Sequence, residues 1–283
     1  MILVTGATGT VGRLVAERLS GTGRVRLLVR APHRAPVPGP GTETVAGDFD
    51  DPGSLRAALT GVRSALLVTT NPLAPAQDEN FVTAARAARV THVVKLSAQA
   101  VTDPGATDLV TRWQRDNEEL LRASGLPWTL LRPRAFMSNT LGWAGSVRKE
   151  GVVRAPHAGS RNATVDPRDI ADVAVRALTD PDRHAGHAYA LTGPEALAPA
   201  RQTEILSELL QQPLVFEELP PDQFLRGLLR RYPAPVAHAL AESAERGRHG
   251  SKTHVDPTVA ELLGRPAGTY REWAAAHLDA FRA

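Results

Sequence analysis

The sequence predicts an α/β chain built on a doubly wound parallel sheet, and three observations predict it. Short apolar runs alternate with amphipathic stretches over most of the chain, as strands joined by crossover helices do. The opening run Ile2–Val4 leads straight into Gly6-x-x-Gly9-x-x-Gly12, and Val11, Leu14, Val15 and Leu19 then recur at helical spacing. A length of 283 residues suits one large α/β domain, or such a domain with a smaller companion.

Each element follows in order. After the first strand, glycine turn and helix comes a second strand over Val25–Val29, ending in Arg30-Ala-Pro-His33-Arg34. Thr42–Ala46 reads as a short strand running into Gly47-Asp48-Phe49-Asp50, and a helix follows from Pro52 to Leu59. Ala65–Thr70 is a buried strand, Asn71–Pro75 a loop, Asp78–Ala88 a helix and His92–Ser97 the next strand. Asp108–Ala123 reads as a helix stopped by Ser124-Gly125, and Trp128–Pro133 as a sixth strand ended by its proline. Beyond it, Val165–Leu178 is a helix, Ala188–Thr192 a last strand of the main sheet and Ala200–Leu210 a helix. Leu214–Leu219 is a small strand, and short helices cut by Pro and Gly occupy 224–230, 236–246, 259–263 and 273–281. The expected division is a nucleotide-binding domain over 1–195, with 135–160 contributing to a substrate cleft, and a smaller, mostly helical region over 196–283.

Strand, glycine turn and helix in that order meet the needs of a dinucleotide pyrophosphate. Gly6 allows the tight turn, Gly9 lets backbone approach the phosphates, and Gly12 lets the helix pack closely on its strand. The helix start at Thr10, Val11 and Gly12 offers N–H groups and a positive dipole end, and Thr8 and Thr10 add hydroxyls. No acid occurs between Arg24 and Thr42, where a carboxylate would take the 2′-hydroxyl of NAD, and Arg30 stands there instead. NADP(H) is therefore favoured over NAD(H).

In a parallel sheet, ligands sit beyond the carboxyl ends of the strands. This directs attention to Asp48 and Phe49, to Thr69, Thr70 and Asn71, to Ser97, and to Pro133. Asp48 suits either an adenine amino group or the cap of the following helix, with Phe49 packing on the ring. Thr70 and Asn71 lie where the nicotinamide half would pass, although Asn71-Pro72 also reads as a plain turn. Lys95 either reaches the nicotinamide ribose or snorkels from a strand.

Composition excludes several classes. The chain has no cysteine, so disulfides, thiolate catalysis and cysteine metal sites are ruled out. No His-x-x-x-His or Glu-x-x-His spacing occurs, and no metal is expected. The formal charge is only +3 and no run of five Lys or Arg appears, so nucleic acid has little support as a partner. No apolar run approaches membrane length. A cytoplasmic protein, monomer or homodimer, acting on a small molecule is the expectation.

Several segments together resemble the NmrA-like branch of the atypical short-chain dehydrogenases. They are Thr5-Gly-Ala-Thr-Gly-x-Val-Gly12, Leu28-Val-Arg30, Gly47-Asp-Phe-Asp-Asp51, Val94-Lys-Leu-Ser97 and Ser124-Gly-Leu-Pro-Trp-Thr-Leu-Leu-Arg-Pro133. Val165-Asp-Pro-Arg-Asp-Ile-Ala-Asp172 and Leu191-Thr-Gly-Pro194 extend the match over nearly the whole chain. The resemblance implies a Rossmann fold with a small C-terminal α+β substrate region. It also implies that Gly6 to Gly12, Arg30, Asp48, Phe49, Thr70, Asn71 and Ser97 line the cofactor. The family holds type-2 quinone oxidoreductases, isoflavone-reductase relatives and NADP-sensing regulators.

One departure decides the chemistry. Short-chain dehydrogenases mostly carry Tyr-x-x-x-Lys on the helix after the fifth strand, where lysine lowers the tyrosine pKa for proton transfer. Here Asp108–Leu120 holds neither residue, and Val110 and Gln114 fall at the expected positions. What remains is hydride transfer to an acceptor that needs no strong protein acid, such as a quinone, or proton delivery by water or another side chain, or no chemistry at all. Phe136 and Trp143, seven residues apart, would share a helical face and with Met137 line either a flat pocket or the core. Asn139 is the polar residue suited to orienting a carbonyl or water, and it and Lys95 are the catalytic candidates. Two function classes stay open: an NADPH-dependent reductase of a quinone-like or natural-product acceptor, and a non-catalytic NADP(H) sensor acting through a protein partner.

Overall fold

The computed structural model describes residues 1–34 and 39–282; the middle of the proline-rich stretch 32–40 lies outside them. Its strands are β1 (Ile2–Val4), β2 (Val25–Val29), β3 (Thr42–Ala46), β4 (Ser64–Leu67), β5 (His92–Leu96), β6 (Trp128–Pro133), β7 (Val152–Ala155), β8 (His187–Leu191) and β9 (Val215–Glu218). Seven of them form one sheet in the order β3-β2-β1-β4-β5-β6-β8, and β7 pairs with β9 apart from it. The β3-β2, β2-β1, β1-β4, β4-β5 and β5-β6 pairs all run parallel. The expected Rossmann fold is present. Its strand order reverses between β1 and β4, which is where a nucleotide settles in such a sheet.

Helices α1 (Thr10–Leu19), α2 (Pro52–Leu59), α3 (Ala76–Ala87), α4 (Leu109–Ala123), α5 (Ala144–Glu150) and α6 (Pro167–Thr179) cross between strands or leave the sheet. The rest are α7 (Pro181–His184), α8 (Pro199–Leu210), α9 (Pro221–Leu229), α10 (Ala234–Gly247), α11 (Thr258–Leu263) and α12 (Tyr270–Ala275). Alternate strand residues serve opposite faces of the sheet. Leu3, Ala65, Leu67, Val93 and Leu130 join Leu55, Leu59, Phe81 and Ala85 of α2 and α3 in one core. On the other face α6 packs on β4, β5, β6 and α1. Both faces are covered, so the central strands are apolar throughout.

The chain divides into two compact units by excursions rather than by one cut near residue 195. The first unit holds Met1–Gln99, Trp113–Pro133 and Pro167–Ala190. The second holds Ala100–Arg112, Arg134–Asp166 and Leu191–Ala283. Within the second unit, β7 and β9 are parallel with Val153 opposite Phe216. Their core is Met137, Val147, Val153, Leu206, Tyr270 and Trp273. Strand β7 and helix α5 had no clear sequence signal, because each is a short piece of mixed polarity.

Two buried polar groups brace the sheet. Lys95, in the middle of the sheet, has no exposed side chain, and its Nζ lies 2.5 Å from Asp78 Oδ1 of α3. It also stands 5.9 Å from the Trp113 ring centroid, within cation–π range. His92 shares its Nε2 with Thr129 Oγ1 at 2.9 Å, and the Thr129 hydroxyl donates to the His184 carbonyl at 2.6 Å. A hydroxyl has one proton to give, so His92 Nε2 carries the hydrogen in that bond. His92 Nδ1 is buried without a partner among the described residues. Burial first, and the nearby His184 second, push the His92 pKa down to about 4.

Lys95→Met is expected to destabilise the protein by about 3–5 kcal/mol, because it leaves Asp78 as an uncompensated buried charge. Adding Asp78→Leu should recover most of that loss in urea denaturation; an undiminished loss in the double variant would show that the pair is not the cause. For His92 the linkage runs through the unfolded chain, which takes up a proton near pH 6.5 that the folded state refuses until about pH 4. Its stabilising share is thus complete above pH 6.5 and lost as pH falls toward 4, on the order of 3 kcal/mol. His92→Gln, which keeps an N–H for Thr129, should flatten the unfolding profile over that window.

Candidate functional site

The glycine turn is built as three separate steric requirements. Gly6 has φ +63°, and a Cβ on it would lie 3.1 Å from Val68 Cβ at the end of β4. Gly9 donates its N–H to the Gly6 carbonyl at 2.8 Å. It stands at the start of α1 in extended conformation, with no side-chain cap. A Cβ on Gly12 would fall 2.2 Å from the Gly6 carbonyl oxygen, which no side chain tolerates. The first turn of α1 contains no acid. The N–H groups of Thr10, Val11 and Gly12 therefore face outward without an intrahelical acceptor and with the dipole unneutralised. Thr8, Gly9 and Thr10 are exposed, while Val11 and Gly12 are buried. This donor set fits a pyrophosphate.

Thr5 completes the turn, and the sequence reading gave it no role. Its hydroxyl donates to the Leu66 carbonyl at 2.9 Å and accepts the Val68 N–H at 2.8 Å. It thereby pins the ends of β1 and β4 together at the point where the strand order reverses. The signal was faint: one threonine between a strand and a glycine.

The other expected cofactor residues lie at the carboxyl ends of their strands. Arg30 is exposed at the end of β2. Asp48 accepts the Asp50 N–H at 3.0 Å, and Asp51 rather than Asp48 caps α2 by accepting from Gly53 at 2.8 Å. Capping is thus excluded as the purpose of Asp48. The Phe49 ring leans on Phe81 with centroids 6.0 Å apart and is half-buried. Asn71 accepts the Leu73 N–H at 3.1 Å and its carbonyl takes the Ala74 N–H, so the Asn-Pro turn does form; Thr70 and Asn71 are nonetheless exposed.

Three expectations need correction. Lys95 neither reaches outward nor snorkels: its ammonium is held inside by Asp78, with Thr69 Oγ1 3.4 Å away. A buried lysine in a central strand requires an anion, and Asp78, in the first turn of α3, supplies it. Ser97 points inward, donating to Glu118 Oε1 at 2.6 Å. Glu118 is held in turn by the Arg132 guanidinium at 2.9 and 2.5 Å. Asp78 and Glu118 went unnoticed because a helical acid normally faces solvent. Pro133 is buried where β6 ends.

The acceptor residues separate as well. Residues 137–143 form a 3₁₀ helix, with three residues per turn. A spacing of seven therefore does not set Phe136 and Trp143 on one face. Met137 is a core residue at 1% exposure, and Phe136 is bridged to Val165. Asn139 and Trp143 do come together, on a cavity of about 1130 Å³ within the second unit that also receives Phe224, Leu228, Arg230 and Arg231. Helix α9 contributes no buried residue; Phe224 and Leu228 from it line the cavity instead. His157 and Arg161 are tied down locally, to Glu245 at 3.3 Å and to the Ala196 carbonyl at 3.0 Å.

No tyrosine or lysine stands on α4. Gln114 is buried and Val110 half-buried. Of the tyrosines elsewhere, Tyr270 is sealed in the second core with its hydroxyl 3.2 Å from Thr140 Oγ1, and burial pushes its phenol upward. Tyr189 is bound to His184 Nδ1 at 2.9 Å, and Tyr232 is exposed. No helix among the described residues is long and apolar enough to cross a membrane.

Comparison with known proteins agrees with this geometry. The NAD(P)H-binding family profile matches residues 6–181. A (4-alkanoyl-5-oxo-2,5-dihydrofuran-3-yl)methyl phosphate reductase of Streptomyces griseus is 53% identical over 281 residues, covering 99% of each chain. An NAD(P)H azoreductase of Xenophilus azovorans is 35% identical and covers 100% of both. The NADPH-dependent quinone oxidoreductase of Escherichia coli, solved with NADPH, superposes with a TM-score of 0.84 at 25% identity, over 99% of this chain and 100% of that one. The chain belongs to the NAD(P)H-binding family, and the relatives that match it over its whole length are named reductases.

Proposed function

We propose that this chain is an NADPH-dependent reductase of a small acceptor whose C=C bond is conjugated to two carbonyls: an alkanoyl butenolide carrying a phosphate ester. The observation that carries this reading is the helix α4, folded in the dehydrogenase position with no tyrosine or lysine on it. Reducing a simple ketone leaves an alkoxide, a strong base that needs an acid at hand. A butenolide with an alkanoyl group beside its lactone carbonyl is different. Hydride adds at the ring carbon bearing the methyl phosphate, and the C=C electron pair moves to the neighbouring carbon, where both carbonyls share it. That anion is weakly basic and takes its proton from water. The 53% identical reductase of Streptomyces griseus acts on a substrate of this description.

In this reading NADPH, when bound, supplies the hydride, and the chain's residues hold and orient it. Gly6 to Gly12 receive the pyrophosphate on the free N–H groups of α1, with Thr8 and Thr10 adding hydroxyls. Arg30 takes the 2′-phosphate, Asp48 accepts from the adenine amino group, and Phe49 packs on the adenine. Thr70 and Asn71 flank the nicotinamide half. Trp143, Phe224 and Leu228 give the alkanoyl chain an apolar bed, and Asn139 orients a carbonyl.

Arg30→Ala should weaken NADPH by about 1.5–3 kcal/mol, the range for a hydrogen bond to a charged group, and leave NADH nearly unchanged in calorimetric titration. Equal losses for both would make Arg30 part of the scaffold only. Acceptor panels followed by loss of the reduced-nicotinamide absorbance test the reaction itself. The butenolide phosphate and quinones should be consumed, simple ketones should not, and Tyr189→Phe, Tyr232→Phe and Tyr270→Phe should each turn over as the wild type does. Ketone reduction that vanishes in one of these variants would place a tyrosine acid outside α4. Tight NADPH binding with no turnover of any acceptor would favour the sensor.

A further inference from the structure

The second unit sets Lys252 near two arginines, Arg246 and Arg134, and near a carboxylate, Asp108, that is already engaged. Asp108 Oδ1 accepts the Thr111 N–H at 3.0 Å, and its Oδ2 accepts the Thr111 hydroxyl at 2.8 Å and Arg246 Nη2 at 2.7 Å. Lys252 finds no carboxylate at bonding distance among the described residues. Its Nζ donates only to neutral oxygens of Ser243, the carbonyl at 2.6 Å and Oγ at 3.1 Å. Burial, and the repulsion of Arg246 and Arg134, bring Lys252 down to about 8 against the pull of Asp108. Arg134 directly follows β6; its guanidinium is held below its ordinary value by burial, opposed by Asp103. Arg134 Nε is buried and has no hydrogen-bond partner among the described residues.

Lys252 thus stands near two guanidinium groups, and among the described residues only neutral oxygens of Ser243 are at hydrogen-bond distance from its ammonium. A half-buried surplus of positive charge with an orphaned N–H is costly as it stands. It is relieved by an anion with several acceptor oxygens, and a phosphate monoester is the fitting one, because guanidinium and ammonium donors to phosphate make short, strong hydrogen bonds. The cluster also continues the cavity's lining along one helix. Leu240 of α10 faces that cavity, and Ser243, which holds the Lys252 ammonium, stands three residues on, on the neighbouring turn of the same side.

We propose that Arg134, Arg246 and Lys252 are the anchor for the phosphate ester of the acceptor, a binding subsite of the second unit distinct from the residues that hold the cofactor. The assignment rests on the reading of the acceptor as a phosphorylated butenolide. It gives the phosphate a positioning role: the group that does not react fixes the one that does.

The test compares the phosphorylated acceptor with its free alcohol in steady-state kinetics. Lys252→Met and Arg134→Gln should each raise KM for the phosphate ester by about 10- to 100-fold, the equivalent of one charged hydrogen bond. The same variants should leave KM for the alcohol and the affinity for NADPH unchanged, and Lys252→Arg should retain most of the preference. In the wild type alone, methyl phosphate should compete with the ester and not with the alcohol, and should bind measurably by calorimetry. That last measurement needs no turnover, so it stands even if no acceptor is reduced and the reductase reading fails. Inorganic phosphate matching methyl phosphate in both assays would mark an anion site indifferent to the ester, and would overturn the proposal. So would a phosphate preference that survives in Lys252→Met and Arg134→Gln, or one lost instead in Arg230→Gln and Arg231→Gln on the cavity wall.

Discussion

Everything the first unit can do for a nucleotide depends on how closely α1 approaches the turn that precedes it. The absent side chain of Gly12 lets the helix backbone come against the Gly6 carbonyl, where a methyl group would overlap it at 2.2 Å. That contact sets the direction of α1 and brings its unpaired N–H groups to the end of β1. Thr5 then holds β4 to β1 on the far side, with hydrogen bonds of 2.9 and 2.8 Å that no water can replace in a site this buried. The cradle is a product of packing before it is a product of chemistry. A bulkier residue at 12 would move the anion site rather than merely weaken it.

The sheet and the cradle were legible because their physics is local. Strands buried on both faces are short apolar runs, and crossover helices carry their apolar residues at helical spacing, so Leu66, Leu67 and Val93 announce themselves. The three glycines carry a recognisable spacing for steric reasons that act within one turn. Asp78 and Glu118 were illegible because their partners are far along the chain: Lys95 and Arg132 become neighbours only through the strand order. The Phe136–Trp143 stripe misled for a different reason. A 3₁₀ segment and an α-helix present the same composition, and the choice between them is made by packing of Met137 into the second core, which no local window contains.

The buried charges of this chain divide into two kinds. Lys95 and Asp78 are matched one to one in the first unit, so their cost is met by each other and they stiffen the junction of β5 with α3. In the second unit Lys252 is held instead by neutral oxygens of Ser243, with Arg246 and Arg134 near it. The chain uses arginine almost everywhere it needs a cation, having only three lysines, and two of these three are drawn into clusters, Lys95 buried and Lys252 half-buried. A guanidinium stays charged in such surroundings, whereas an ammonium near pH 8 is able to give up its proton. The ligand affinity of such a cluster would then fall on the alkaline side.

The discontinuity of the two units has a consequence for how the chain is made. Residues 100–112 belong with 134–166 and 191–283, while 113–133 belong with the residues before 99. On a ribosome the first unit cannot close until β8 has been delivered, and the early segments of the second unit must wait exposed until the chain passes residue 191. Half-made chains therefore carry apolar residues such as Met137 and Val147 with nothing to bury them against, and the two units are committed to maturing nearly together. Excising either as a contiguous fragment would strand part of the other, so recombination among relatives should exchange α9 or its neighbouring loops more readily than whole units.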